Sequence, residues 1–330
     1  MIRLKFPLIV VTIALFIISC EENLSPIGKL PDKYSVNIIL RTDTVFQTAY
    51  LSKIYMTEDF NPNSLEVDPF VSGAKIMLKY QDINNEYVFN DTVDNSNTND
   101  RYNTPAKYYY LNNFIPSTDK EIQLTVDLPD GSKLSSKTKL PEPVVFDLPN
   151  STPFIPGPFV GNDTQYVKVA WTNGNSELIK AGKVTLIYYY RELSGEKTKH
   201  VVKVPLSYII KNNIKEPVYV NMSYDNNLNI DRSILEEFMH SISEGNESKA
   251  RYSIAPLEVD IYSFDENLSR YYSANLFFDF GFTIRNFPGD INNIVGGYGF
   301  FGAYSHTTRI IKFDQQYLMN TFGYMREVTN

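Results

Sequence analysis

Apolar and polar residues alternate along most of this chain, and that alternation restricts it to a fold built mainly of β-strands. The pattern recurs in short runs, among them residues 36–40, 74–78 and 122–126, which polar turns separate. A period of two places successive side chains on opposite faces of a strand, so each run can bury one face. The sequence therefore predicts a mainly β protein.

Turn signals and prolines divide the chain into two predicted β-sandwich domains. Pro129-Asp130-Gly131 predicts a hairpin turn, because proline presets φ and glycine accepts a positive φ. The short strands over residues 34–145 predict an immunoglobulin-like β-sandwich. Six prolines crowd into residues 141–158 and prevent a continuous strand there. We therefore assign residues 146–330 to a second β-rich domain.

One helix is predicted in the second domain, near residues 231–243. Apolar residues recur there at three- and four-residue spacing, and Asp231 or Ser233 can cap the helix. We expect strands over residues 257–264 and 271–282, and an exposed loop over the Asn- and Asp-rich residues 91–105. Trp171 is expected to anchor the core of the second domain.

The first twenty residues have the features of a lipoprotein signal. The uncharged run 6–19 follows Arg3 and Lys5, and as a helix it reaches about 21 Å, short of a hydrocarbon core about 30 Å thick. The run ends Ile17-Ile18-Ser19-Cys20, which resembles the bacterial lipobox and places the only cysteine at its lipidation position. We expect residues 1–19 to be a signal peptide and Cys20 to be lipidated. The alternative is an ordinary signal followed by an unrelated cysteine.

The segment after the cysteine predicts where the protein is held. Residues 20–33 contain two prolines and a glycine and no apolar periodicity, which indicates a tether between an N-terminal lipid and the first domain. Glu21-Glu22 resembles the acidic surface-export signals of Bacteroidota lipoproteins, and the alternative is a solvated linker. We expect attachment to the outer membrane through the lipid, with exposure at the cell surface if Glu21-Glu22 acts as an export signal.

Composition and motifs exclude several classes of function. The formal net charge of -7 gives no basic excess for nucleic acid. One cysteine, and three histidines without ligand spacing, predict no metal site. Residues 297–302 match a dinucleotide fingerprint, but no strand–turn–helix context surrounds them, so no cofactor is expected. No Gly-x-Ser-x-Gly elbow occurs, and we expect a non-enzymatic protein.

Tyrosines occur in clusters, at residues 108–110, 188–190 and 271–272. Adjacent residues of a strand face opposite sides, so one ring can fill a core while its neighbour meets solvent, the other domain or a partner. Exposed rings suit protein interfaces and sugar stacking alike. The alternative is burial of both strand faces between the two domains.

These features together resemble a domain-of-unknown-function family of Bacteroidota outer-membrane lipoproteins. The resemblance rests on Ser19-Cys20-Glu21, the hairpin 128–138 with Leu140-Pro141-Glu142-Pro143 after it, and residues 169–172. Its most specific part is the C-terminal run 292–305, which contains Gly-Gly-Tyr-Gly-Phe-Phe-Gly-Ala-Tyr. A proline-containing segment, residues 286–288, precedes this run. Members are often encoded beside TonB-dependent receptors, which implies an accessory role in nutrient transport.

The signature contains four glycines, Gly296, Gly297, Gly299 and Gly302. Glycine is favoured where φ is positive or where another backbone approaches closely. We therefore expect a bulged strand or tight loop near the edge of the second domain. For function, we expect a non-enzymatic accessory of a TonB-dependent transporter. The alternatives are a cell-surface glycan-binding protein and, less favoured, a hydrolase without a recognised motif.

Overall fold

The computed structural model describes residues 33–54, 68–82, 85–99, 104–157, 165–172, 177–276 and 292–327. Over these residues the chain is mainly β, as the alternation predicts. The predicted signal peptide, Cys20 and the predicted tether up to residue 32 lie outside the described residues, so the lipid anchor stays a prediction.

The first half of the chain forms a sandwich of two four-stranded layers. Its strands are β1 (Lys33–Arg41), β2 (Gln47–Ile54), β3 (Lys75–Tyr80), β4 (Glu86–Val88), β5 (Asn90–Asn99), β6 (Thr104–Leu111), β7 (Glu121–Asp127) and β8 (Lys133–Lys139). One layer has the order β1-β2-β6-β5 and the other β4-β3-β7-β8. This is the A-B-E-D and C-F-G arrangement of an immunoglobulin sandwich, with β4 added beside strand C. The predicted immunoglobulin-like fold is confirmed.

Burial in the first sandwich follows the sequence alternation. On β7 the side chains of Ile122, Leu124 and Val126 are fully buried, and each contributes about 1.5–3 kcal/mol. The β7–β8 hairpin turns at Gly131, whose φ is 85°. Of the residues 91–105, which we expected to form an exposed loop, residues 91–99 belong to β5 and residues 104–105 begin β6. β5 is an edge strand paired with β6, and an edge strand tolerates polar residues that face solvent.

The second half adds further strands and two helices. The strands are β9 (Phe154–Ile155), β10 (Tyr166–Ala170), β11 (Lys180–Arg191), β12 (Lys197–Lys203), β13 (Ser207–Lys211), β14 (Ile214–Val218), β15 (Val220–Ser223), β16 (Asn227–Asp231), β17 (Tyr252–Ile254), β18 (Leu257–Phe264), β19 (Tyr298–Phe313) and β20 (Met325–Arg326). The helices are α1 (Arg232–Ser241) and α2 (Glu266–Leu276). Shorter helical turns cover Lys249–Arg251, Gln315–Tyr317 and Leu318–Phe322.

One twelve-stranded sheet is continuous across both halves. Its main path is β20-β17-β11-β18-β19-β1-β2-β6-β5, and the parallel pairing of β1 with β19 joins the halves. A second core lies between the β11–β18–β19 part of this sheet, the β10–β16 pair and α1. Trp171 is 5% exposed within that core, as predicted.

The two helices differ in how well the sequence predicts them. Asp231 caps α1 by accepting a hydrogen bond from the backbone N–H of Ser233 at 2.8 Å, which settles the choice of cap. Helix α2 was not predicted, and residues 271–276 belong to it instead of a strand. Asp265 precedes α2 and accepts from the backbone N–H of Leu268 at 2.7 Å, as N-terminal capping residues do.

Of the four signature glycines, Gly299 and Gly302 lie in β19, and Gly296 and Gly297 lie in the turn just before it. β19 is the outermost strand that residues 146–330 contribute to the main path of the large sheet, so the strand and turn lie at the edge of the second domain, as expected. β1 of the first sandwich pairs with this edge and makes β19 an interior strand of the large sheet. Gly299 has a φ of 116°, and a Cβ there would lie 2.0 Å from the carbonyl oxygen of Val36. Glycine is required at this position because the β1 backbone occupies the space of a side chain.

Candidate functional site

The outer face of the large sheet carries an open groove of about 700 Å³, which we call the tyrosine groove. Strands β1, β2, β6 and β19 form its floor, and α2 forms one side. Six aromatic residues line it: Tyr50, Tyr108, Tyr271, Tyr272, Phe300 and Tyr304.

Strand alternation turns groove side chains of β1 and β6 away from the first core. On β1, Ile38 packs in the first core, and Ile39 and Arg41 point to the groove. On β6, Tyr109 is 1% exposed in the first core, and its neighbour Tyr108 lines the groove. The expectation that one ring of the first tyrosine cluster fills a core while its neighbour faces outward is confirmed.

Helix α2 contributes a second set of rings. The Tyr271 ring lies 5.5 Å from that of Phe300 and packs edge-to-face against Tyr272 at 5.1 Å, between ring centroids. Tyr272 also stacks on Phe264 at 5.1 Å, which fixes the helix on the sheet. Tyr271 remains 39% exposed, so its ring is accessible to a ligand.

Polar groups lie at one end of the groove. Arg41 pairs with Asp43 at 3.2 Å, and the hydroxyl of Tyr304 donates to Asp43 over 3.5 Å. Burial and the nearby Asp43 charge raise the pKa of Tyr304 to about 12, so its hydroxyl is protonated at neutral pH. Asn37 and Thr48 also line the groove. The site therefore combines apolar ring surface with hydrogen-bonding groups.

Gly302 shapes the groove from within the signature. A Cβ at Gly302 would lie 2.5 Å from the Phe300 ring and 3.0 Å from Cγ of Leu268 on α2. The missing side chain allows Phe300 and α2 to approach each other. Gly296 and Gly297 instead allow close approach to the first sandwich, at the carbonyl oxygens of Lys133 and Tyr34 respectively.

A polar cluster continues on the same face of the sheet. Asp260 accepts from Thr308 at 2.7 Å, lies 2.9 Å from Nε2 of His306, and is 3.4 Å from Nζ of Lys183. Burial opposes its charged form, but the hydrogen bonds from His306 and Thr308 and the Lys183 charge outweigh it and lower the pKa of Asp260 to about 2. These groups satisfy one another, so the cluster stabilises the sheet.

The histidines are separated in the structure. His200 stacks on Tyr188 at 4.7 Å, His240 contacts Phe322, and His306 stacks on Tyr262 at 4.8 Å. Among the described residues, no cluster of histidine, cysteine and carboxylate side chains could hold a metal ion. In the same part of the chain, no helix has the length and apolarity that a membrane span needs.

Comparisons with known proteins do not define a family. No family model and no curated protein sequence matches the chain. Among solved structures, the C-terminal globular domain of an oligosaccharyltransferase from Pyrococcus abyssi is similar at 9% identity and a TM-score of 0.26. That match covers 70% of this chain and 46% of the other.

The sequence predicted rings at an interface but not the groove that collects them. Leu268, Tyr271 and Tyr272 lie three to four residues apart after Asp265, which is a helix signal that the β-prone tyrosines obscured. Sequence offered no signal that residues of α2, β2 and β6 would line one groove, because that arrangement depends on the pairing of β1 with β19.

Proposed function

We propose that the protein is a non-enzymatic, lipid-anchored protein of the outer membrane whose tyrosine groove binds a glycan. The supporting observation is the set of six aromatic side chains in one open groove beside Asn37, Arg41 and Thr48. Sugar rings present C–H groups on their faces and hydroxyls at their edges, so they pack on aromatic rings and hydrogen-bond to polar neighbours. An extended saccharide also fits an open groove better than a closed cavity.

Direct binding measurements test this proposal. The mature chain would be screened against neutral and acidic oligosaccharides, and affinities measured by calorimetry. Tyr271→Ala should weaken the affinity for a bound saccharide about two- to tenfold, since one aromatic contact contributes about 0.5–1.5 kcal/mol. Tyr189→Ala is the matched control, because Tyr189 lies on β11 under Lys197 and does not line the groove.

Two results would contradict glycan binding in the tyrosine groove. One is that no saccharide of the screen binds the parent protein. The other is an equal loss of affinity in Tyr271→Ala and Tyr189→Ala, which would place the binding surface outside the groove.

A second candidate function is support of a TonB-dependent transporter, which the resemblance of residues 292–305 favours. In this function the groove would present its ligand to the receptor. Affinity purification from native outer membranes tests it, and co-purification of a β-barrel receptor is the expected result. Recovery of the protein without such a receptor, under conditions that preserve other lipoprotein–receptor complexes, would contradict it.

A further inference from the structure

The hairpin of β13 and β14, which we call the isoleucine hairpin, exposes three large apolar side chains at its tip. Ile209, Ile210 and Ile214 are 48%, 81% and 63% exposed. Asn212 and Asn213 have φ values of 51° and 61°, as a tight two-residue turn of type I′ requires. The two strands form a separate sheet and pair with no other strand among the described residues.

Each face of the hairpin near its turn exposes isoleucine beside charged residues. Ile210 pairs with Lys215, and Ile209 pairs with Glu216, so the adjacent residues Ile209 and Ile210 point to opposite faces. Lys211 pairs with Ile214, which places Ile214 on the face of Ile209. A groove on a folded protein would cover one face of such a hairpin, whereas a lipid interface surrounds both.

The sequence segment formed by β12, the hairpin and its flanks is opposite in net charge to the whole chain. Residues 197–220 contain five lysines and one glutamate, a net charge of +4 in a chain of net charge -7. Lys197 pairs with Glu327 and Lys215 with Glu237. Lys199, Lys203 and Lys211 form no ion pair within the described residues. Each such lysine near an anionic membrane contributes about 1 kcal/mol of attraction.

From these observations we propose that the isoleucine hairpin inserts its tip into an anionic lipid surface and gives the protein a second membrane contact besides its N-terminal lipid. Ile209, Ile210 and Ile214 lie within the three strand positions nearest the turn, over about 7–10 Å at 3.4 Å per residue, and Lys211 and Lys215 lie among them. Interfacial segments bury their apolar side chains about 5–10 Å deep, which matches this length. Residues 21–32 can extend at most about 40 Å, so a lipid at Cys20 would keep the body near the bilayer.

Vesicle flotation tests the hairpin separately from the lipid anchor and from glycan binding. The mature chain with Cys20→Ser, which carries no acyl group, would be floated with phosphatidylglycerol–phosphatidylcholine vesicles and with phosphatidylcholine alone. We expect binding to the anionic vesicles that rising salt weakens. The double substitution Ile210→Ser with Ile214→Ser should reduce the bound fraction about tenfold or more. Ile115→Ser, which changes a 56% exposed isoleucine of the first sandwich, should have no effect.

A fluorescent label shows which segment enters the lipid. Cys20 is the only cysteine, so Ile210→Cys in the Cys20→Ser chain gives a single labelling site. The emission of an environment-sensitive dye at residue 210 should shift to the blue with anionic vesicles, while the same dye at Ile115→Cys should not respond. Absence of vesicle binding, or equal effects at residues 115 and 210, would overturn the proposal. If the dye emission at residue 210 shifts to the blue at higher protein concentration without vesicles, the hairpin contacts a second copy of the chain. That result would also overturn the proposal.

Discussion

Thr138, on β8 of the first sandwich, donates a hydrogen bond to the carboxylate of Asp265, the residue that caps helix α2. This contact ties one side of the tyrosine groove to the opposite layer of the first sandwich. Asp265 is 1% exposed, and burial raises the pKa of its carboxyl to about 6, although the hydrogen bonds from Thr138 and from the backbone of Leu268 favour the charged form.

The first prediction is that Asp265 lowers the stability of the folded protein as the pH rises from 4 to 6. Its pKa is about 6 in the folded protein and about 3.9 in the unfolded chain, so the folded state binds the proton more tightly. The contribution of Asp265 to the free energy of unfolding is therefore highest below pH 4 and decreases as the pH rises to about 6. The pKa difference corresponds to about 3 kcal/mol.

Asp265→Asn removes this titration and keeps an oxygen that can cap α2. Relative to the parent, the free energy of unfolding of Asp265→Asn should rise by about 2–3 kcal/mol between pH 4 and pH 7. Denaturant unfolding at several pH values measures the difference. Asp225→Asn is the control, because it makes the same substitution at an exposed carboxylate between β15 and β16. If the free energies of unfolding of Asp265→Asn and the parent differ by the same amount at every pH from 4 to 7, the buried carboxyl of Asp265 does not cause the pH dependence of stability.

The second prediction concerns the contact between Gly299 and the β1 backbone. Gly299→Ala combines a positive φ with a Cβ 2.0 Å from the oxygen of Val36, so β1 and β19 must move apart. We expect a loss of at least about 2 kcal/mol. Gly131→Ala is the matched control, because Gly131 also has a positive φ but no atom lies within 4 Å of its Cβ position.

Thermal melting of the two variants separates the cost of φ from that of the close contact. Gly131→Ala should lose only about 1 kcal/mol, the cost of a left-handed conformation. Equal melting temperatures for Gly299→Ala and Gly131→Ala would show that the β1–β19 pairing adapts to a side chain.

Sequence reasoning succeeded where a local pattern decides the structure. The alternation of Ile122, Leu124 and Val126, the turn at Gly131, and the cap at Asp231 each depend on neighbours within a few residues. Repeated along the chain, such patterns were sufficient for the immunoglobulin-like sandwich and for helix α1.

The same reasoning failed where distant segments decide. Val36 and Gly299 are paired across most of the chain, so nothing local shows that β19 is an interior strand. Tyr271 and Tyr272 favour a strand by propensity. Their helix is selected by the cap at Asp265 and by the packing of Leu268 against Phe264. The groove depends on both long-range features, which is why the sequence predicted its rings but not their arrangement.

The third prediction concerns attachment to the membrane. Cys20→Ser removes the thiol that the lipobox-like Ile17-Ile18-Ser19-Cys20 would offer for lipidation. We expect the mature variant to lose its acyl anchor and to leave the outer-membrane fraction at high salt, where a charge-assisted contact of the hairpin is weak. Its melting temperature should equal that of the parent, because Cys20 precedes the first strand. A variant that still sediments with outer membranes at high salt would contradict the lipid anchor.

The last prediction separates the groove from the stability of the sheet. Gly302 has no side chain where the Phe300 ring and Leu268 of α2 meet, and a Cβ would lie 2.5 Å from a ring carbon of Phe300. Because a phenyl ring can rotate away whereas a backbone cannot, Gly302→Ala should displace Phe300 in the groove and cost less stability than Gly299→Ala. We therefore expect Gly302→Ala to weaken the binding of a saccharide that the parent binds, and Gly131→Ala to leave it unchanged. Calorimetry and thermal melting test this prediction on Gly302→Ala, Gly299→Ala and Gly131→Ala. If Gly302→Ala binds the saccharide as tightly as the parent does, Phe300 does not contact the ligand.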